Sequence, residues 1–160
     1  MAIENVGLWL MEIKRYTQER IDDVIDFERR LRQEEEFWGW EINDKYIADV
    51  QKSFKDEKFA HSLSLLAYVE GKVVGRIDST LICSHFDGSV KAYLDWICVL
   101  KSCRHQGVAQ RLLTELRQRL RTEYGVDTLI ALMAGNPEAQ RFYRSVQGAM
   151  IRDEGIWMDC

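Results

Sequence analysis

The sequence predicts a mixed α/β fold in which helices cover both faces of a single sheet. Two observations support this prediction: strand-like apolar runs alternate with segments of helical periodicity, and the strands cluster around two helices late in the chain. The 160 residues contain no internal repeat, low-complexity tract or linker-like segment, so one domain over residues 1–160 is expected.

The elements of the first half follow from short patterns. Weak alternation from Leu10 to Tyr16 is typical of a strand, and Thr17 is a good N-cap for a helix that would end near residue 33. Apolar positions at helical spacing predict a second helix from about Asp44 to Phe54. The first half is therefore expected to supply one strand and two helices.

A hairpin and a third helix follow. The strand-like runs Ser64–Val69 and Val73–Cys83 flank a turn at Gly71, and a second turn leads to a strand that ends at Val99. Gly125 is a good left-handed residue to close the next helix. The apolar face of that helix is predicted to consist of Val108, Leu112, Leu113, Leu116 and Leu120.

The patterns in the last third of the chain predict a strand, a fourth helix and further strands. Residues 128–134 are apolar, Asn136 is a good N-cap, and Pro137 suits a first helical position. Ala149 to Met158 is expected to supply the last strands. One face of the fourth helix is predicted to carry Ala139, Phe142, Tyr143 and Val146.

The stretch Arg104–Ala109 is the most informative for function, because it follows a strand and opens a helix. The first amides of a helix have no internal partner and face the solvent with the positive end of the macrodipole, so they bind anions. Gly107 allows close backbone approach, and Arg104 can add a charge-assisted contact. The stretch predicts a phosphate site, although such a string alone is also compatible with an ordinary tight turn, and it matches neither the P-loop nor the dinucleotide motif.

This stretch and the segment after residue 135 together resemble the GNAT acetyltransferase superfamily over roughly residues 62–158. Lys101 and His105 depart from the pattern, since many members have proline and glycine there. The matching residues are Val99, Arg104, Gly107, Ala109, Leu112 and Leu113 in the first segment, and Asn136, Ala139, Phe142, Tyr143 and Gly148 in the second.

The resemblance implies a mostly antiparallel sheet of about six to seven strands with about four helices, and a V-shaped splay after the strand ending at Val99. It implies acetyl-CoA as the cofactor, with the pantetheine arm on the backbone of Ile97, Cys98 and Val99 and near Asn136. Those strand residues are also compatible with a purely structural role in the core. The expected pyrophosphate site comprises Arg104, His105, Gln106, Gly107, Val108 and Ala109.

The resemblance implies that Tyr143 is the general acid for the departing thiolate, whereas a core aromatic is the alternative. Asp95 lies among apolar residues near the end of its strand and is a candidate base or amine binder; the alternative is a solvated strand position. Glu34, Glu35 and Trp38 lie where the family builds its acceptor lip. They indicate either a wall for a cationic acceptor or a solvated charge run.

These expectations describe an N-acetyltransferase in which a primary amine attacks the thioester directly in a ternary complex. The acidic lip favours a small cationic amine, similar to an aminoglycoside or a polyamine. The alternatives are acetylation of a protein N-terminus or lysine, and a non-catalytic module that binds acyl-CoA.

Composition excludes several other classes. The net charge of −4 argues against nucleic acid as the main partner. The sequence has no apolar run that could span a bilayer and no signal segment, so a cytoplasmic protein without a membrane partner is expected. The four cysteines lack the spacing of a zinc site or a disulfide framework. Exposed tryptophans near residue 40 are compatible with a homodimer.

Overall fold

The computed structural model describes residues 10–35, 40–152 and 155–160. Its helices and strands confirm the predicted α/β class. Single 3₁₀ turns precede α1, β2 and α3 (Gln18–Arg20, Glu57–Phe59 and Lys101–Cys103). In chain order the longer elements are β1 (Glu12–Arg15), α1 (Ile21–Glu34), α2 (Asp44–Ser53), β2 (Ser62–Val69), β3 (Lys72–Cys83), β4 (Val90–Val99), α3 (Val108–Tyr124), β5 (Leu129–Ala131) and α4 (Pro137–Ser145).

The strands form one five-stranded sheet in the order β1-β2-β3-β4-β5, antiparallel except for the parallel pair β4–β5. The strand count is lower than expected, because the parts of Ala149–Met158 that the structure describes contain no strand. Large apolar side chains there are exposed, with Trp157 at 77%. Since β5 has only three residues, it offers a short edge for any further strand to pair with.

Helices α3 and α1 pack on opposite faces of the sheet, and the core lies in the two layers between them. Gly75 of β3 faces α3, and a Cβ at this position would lie 2.9 Å from Val108 Cγ1. The next residue, Arg76, points to the other face and forms an ion pair with Glu28 of α1. The predicted apolar face of α3 is buried throughout: Val108, Leu112, Leu113, Leu116 and Leu120.

The sheet opens between β4 and β5. The two strands pair only where Ala92–Leu94 lies beside Leu129–Ala131, and β4 then continues to Val99 without β5 beside it. The register between β3 and β4 shifts at Asp95, which has no partner opposite it, and such a bulge increases the local twist. The V-shaped splay therefore begins within β4, ahead of the strand end at Val99.

None of the helices within the described ranges has the length and apolar character needed to cross a membrane.

Candidate active site

A cavity of about 650 Å³ lies in the cleft between the second half of β4, the start of α3 and α4. All but one of the predicted cofactor-binding residues line this cavity. Gln106 does not: its side chain is exposed and donates to the Ser102 carbonyl oxygen at 3.4 Å. Asp95, the candidate base, also lines the cavity. The other predicted cofactor-binding residues all line it: Ile97, Cys98, Val99, Arg104, His105, Gly107, Val108, Ala109, Asn136 and Tyr143.

The start of α3 presents free backbone amides to this cavity. Gly107 caps the helix with a left-handed φ of 79°, and the backbone bond from Arg111 N–H to the Gly107 carbonyl closes the first turn. The amides of residues 107–110 have no backbone acceptor within the part of the chain that the structure describes. Amides in this arrangement, with the positive end of the helix dipole behind them, attract anions, and a pyrophosphate site here stays a prediction.

His105 shows how this loop accommodates a residue that departs from the family pattern. Its backbone lies in the left-handed region, with φ 61°, which glycine adopts without strain and other residues rarely adopt. The imidazole is 84% exposed and lies 4.0 Å from Glu138 through its Nε2 atom. The loop therefore keeps a glycine-like backbone shape although the residue is histidine.

Arg104 lies at the mouth of the cleft, and three contacts hold it there. Its Nε atom donates to the Val99 carbonyl oxygen at 3.1 Å. Its Nη2 atom lies 2.5 Å from Glu35 Oε1, and its Nη1 atom lies 3.3 Å from Glu138 Oε2. Glu138 could not be identified from the sequence, because only the tertiary structure brings the starts of α3 and α4 together.

The acidic segment predicted as an acceptor lip lies beside the same loop. Glu34 accepts hydrogen bonds from the Ser102 amide at 2.9 Å and the Ser102 hydroxyl at 2.7 Å. Burial works against its charge, but these hydrogen bonds lower the pKa of Glu34 overall. With Glu35 paired to Arg104, both carboxylates contact the loop ahead of α3, and their role in acceptor binding stays a prediction. Trp38 lies outside the described residues.

Helix α4 begins as predicted and carries Tyr143 into the cavity wall. The Asn136 side chain accepts from the Ala139 amide at 2.8 Å, and Pro137 occupies the first turn. The Tyr143 ring is half-buried and in edge contact with Phe142, with 5.2 Å between the ring centroids. Burial, with a smaller effect of Tyr93, raises the pKa of the Tyr143 phenol, so its hydroxyl is protonated at neutral pH.

Asp95 lies at the bulge of β4 and is exposed, so it is not the desolvated carboxylate that its apolar neighbours in sequence suggested. Its Oδ2 atom accepts from the Thr80 hydroxyl at 2.7 Å. The adjacent Trp96 lines the cavity and meets Trp40 edge-on, with 5.9 Å between their ring centroids. Thr80 could not be found from the sequence, because strand register alone brings it beside Asp95, whereas Trp96 follows Asp95 directly and is typical of an apolar strand residue.

Cys98 is buried on the cavity wall, which is compatible with a structural role in the core as well as with contact to the cofactor. Burial raises the pKa of its thiol to about 12, so the thiol is uncharged at neutral pH.

Residues 29–149 match the family model described as the Acetyltransferase (GNAT) family. The chain therefore belongs to the GNAT acetyltransferases. It is an N-acetyltransferase, and its acetyl donor is acetyl-CoA. A search of curated proteins found no match.

Solved structures of other acetyltransferases are similar to this chain. An aminoglycoside acetyltransferase from an uncultured soil metagenomic sample, in complex with sisomicin, has 20% identity and a TM-score of 0.78 over 94% of this chain and 97% of that chain. An aminoglycoside antibiotic 6'-N-acetyltransferase from Acinetobacter baumannii has 16% identity and a TM-score of 0.69 over 94% of this chain and 97% of that chain. Ribosomal-protein-alanine N-acetyltransferase from Brucella melitensis biovar Abortus 2308 has 15% identity and a TM-score of 0.70 over 94% of this chain and 99% of that chain. At these identities, the likeness shows the fold alone.

Proposed function

We propose that this enzyme acetylates the primary amine of a small cationic acceptor, which attacks the donor directly in a ternary complex. One observation carries the proposal: an anion site at the start of α3, the neutral phenol of Tyr143 and the exposed carboxylate of Asp95 all line one cavity. The aminoglycoside acetyltransferases of similar fold support the choice of acceptor class.

The donor would lie along the open side of β4. Acetyl-CoA supplies the activated acyl group. The amides of residues 107–110 and the guanidinium of Arg104 would hold its pyrophosphate, and the Asn136 cap orients the helix that borders the pantetheine arm. The backbone of Ile97–Val99 has no neighbouring strand on the β5 side within the described sheet. It can therefore pair with an extended arm as it would with an added strand.

The acceptor must lose a proton before it can attack, because only the neutral amine is a nucleophile. An alkylammonium has a pKa of about 10, so forming the neutral amine near pH 7 costs about 4 kcal/mol. In our proposal, Asp95 holds the ammonium group or receives its proton through water, and Trp96 forms the apolar wall beside it. Tyr143 donates a proton to the departing thiolate. Holding the two substrates close together can lower the activation free energy by about 7–11 kcal/mol, which is more than either proton transfer contributes.

A panel of acceptors with acetyl-CoA, scored by release of free thiol, tests the proposal. Aminoglycosides and polyamines are expected to be turned over well above the rate of hydrolysis, whereas neutral sugars lacking an amine are not. Turnover confined to peptides with a free N-terminal alanine would instead favour a protein acceptor, the candidate suggested by the Brucella structure. Binding of coenzyme A without turnover of any amine would favour a non-catalytic module.

The Asp95→Asn variant tests the acceptor role of this carboxylate. We expect KM for a cationic amine to rise about tenfold, because a charged hydrogen bond is lost, and kcat to fall, because the proton acceptor is lost. The affinity for coenzyme A, measured by calorimetry, should stay at the wild-type value. An unchanged kcat together with an unchanged KM would exclude Asp95 from both roles.

A further inference from the structure

We propose that Glu35 and Glu138 compete with the cofactor pyrophosphate for Arg104 and thereby limit the affinity of the free enzyme for coenzyme A. This inference rests on the proposed position of the pyrophosphate at the start of α3. It concerns the two carboxylates that contact this site and assigns them a role in cofactor affinity that is separate from acceptor binding.

The geometry places both carboxylates on the guanidinium that should receive the anion. Glu35 Oε1 lies 2.5 Å from Arg104 Nη2, and Glu138 Oε2 lies 3.3 Å from Arg104 Nη1. The two outer nitrogens of the guanidinium thus face carboxylate oxygens, and the same nitrogens form the fork that binds phosphate bidentately. An arriving pyrophosphate has to replace at least one of these contacts.

The two carboxylates belong to elements on either side of the cleft mouth. Glu35 directly follows the last residue of α1, and Glu138 lies in the first turn of α4. Arg104 therefore links α1, α4 and the loop ahead of α3. The carboxylate of Glu138 also lies 4.0 Å from His105 Nε2. Its negative charge therefore lies beside the Arg104 and His105 side chains of the loop ahead of α3, where it repels an incoming anion.

The third contact of Arg104 determines the direction of the expected effect. Its Nε atom donates to the Val99 carbonyl oxygen at 3.1 Å, and this bond is independent of both glutamates. Neutral side chains at residues 35 and 138 would therefore leave Arg104 anchored in the cleft while freeing its outer nitrogens. Replacing either carboxylate by its amide should tighten cofactor binding.

The test is calorimetric titration of coenzyme A into wild type, Glu35→Gln, Glu138→Gln and the double variant at low ionic strength. Because these ion pairs are partly exposed, we expect the affinity to rise about three- to fivefold per substitution, and the gain to shrink in salt. Titration with S-acetylpantetheine, which lacks the pyrophosphate, should give the same Kd for all four proteins. Glu115→Gln is the matched control, since Glu115 pairs with Arg119 at 2.8 Å on α3 and does not line the cavity.

The melting temperature of each variant shows whether the substitution alters folding. This control matters for Glu138, because a carboxylate in the first turn of α4 also stabilises the helix through its dipole. An unchanged or weaker affinity for coenzyme A in both single variants would overturn this inference while leaving the proposed function intact. An equal gain for S-acetylpantetheine would overturn it as well, since the gain would then be independent of the phosphates. A wild-type protein that does not bind coenzyme A would overturn the proposed function and this inference together.

Discussion

At the scale of single residues, the proposed chemistry depends on a phenol that stays protonated. Tyr143 is half-buried, and burial raises its pKa above the ordinary value of about 10. A group whose pKa is raised keeps its proton over a wider range. Loss of the Tyr143 proton should therefore reduce turnover only at a pH above the ordinary pKa of a phenol.

The Tyr143→Phe variant removes the acid and keeps the ring against Phe142. We expect kcat to fall at least about 10²-fold, the usual contribution of a general acid, with the Kd for coenzyme A unchanged. The alkaline limb of the wild-type profile should disappear. Tyr124→Phe is the matched control, because Tyr124 lies at the far end of α3, where its hydroxyl accepts from Arg15 at 3.2 Å. Turnover equal to wild type would make Tyr143 a structural residue.

Gly107 permits a second test at this scale, because the same helix ends on another left-handed glycine. Gly107 has φ 79° and Gly125 has φ 63°. Valine at either position should be strained and lower the melting temperature. Only Gly107→Val should also weaken coenzyme A binding, by at least tenfold, because its side chain obstructs the loop amides. Equal affinities of the two variants in calorimetry would argue against a phosphate site here.

At the scale of elements, the position of α3 on the sheet determines where its amides point. The two approach closely at Gly75, where a Cβ would lie 2.9 Å from Val108 Cγ1 and 3.3 Å from the Cys98 carbonyl oxygen. The second of these is backbone and has little freedom to move aside. Val108 is also the first residue of α3, so any shift caused at Gly75 moves the proposed anion site.

The Gly75→Ala variant is therefore expected to lose both stability and cofactor affinity. The free energy of unfolding should fall by about 1–3 kcal/mol, as for other overpacked cores, and the Kd for coenzyme A should rise. Urea denaturation and calorimetry measure the two effects. Gly135→Ala is the matched control for stability, because no atom lies within 4 Å of the added Cβ. A wild-type free energy of unfolding for Gly75→Ala would contradict the proposed packing constraint.

At the scale of the whole molecule, a buried charge network ties the first helices to the sheet. Glu28 of α1 is fully buried and accepts from Arg76 Nη1 at 2.9 Å and from the Tyr46 hydroxyl at 2.8 Å. Arg76 Nε lies 2.7 Å from Asp78 Oδ2. Burial opposes the charge of Arg76, but Asp78 beside it raises its pKa overall, and burial raises the pKa of Tyr46 to about 12.

Arg76→Met should be strongly destabilising, because it removes the cation shared by the buried Glu28 and the partly buried Asp78. Glu28 then keeps the more distant Arg32 Nη1, at 3.7 Å. We expect the free energy of unfolding to fall by about 3–5 kcal/mol in urea denaturation at pH 7. The control is Arg119→Met, which removes a partly exposed pair with Glu115 and should cost at most about 1 kcal/mol. Similar losses for the two variants would show that the network does not stabilise the fold.

The sequence by itself determined the features that depend on neighbouring residues. The helix that begins after Asn136, the end of α3 at Gly125 and the free amides after Gly107 follow from cap chemistry, which acts within one helical turn. The buried face of α3 follows from the helical spacing of its apolar residues along the sequence. The same short patterns carried the family resemblance, and the family model supports it.

Tertiary structure alone decided which side chains meet across the cleft. Arg104 is 34 residues from Glu138, and Thr80 is 15 residues from Asp95, so their contacts depend on helix placement and strand register. The extent of β5 is decided in the same way: it pairs with β4 only at Ala92–Leu94, and the described part of Ala149–Met158 adds no strand beyond it. Local backbone preferences act over a few residues, whereas register and packing are set by the burial of the whole core, which no short pattern encodes.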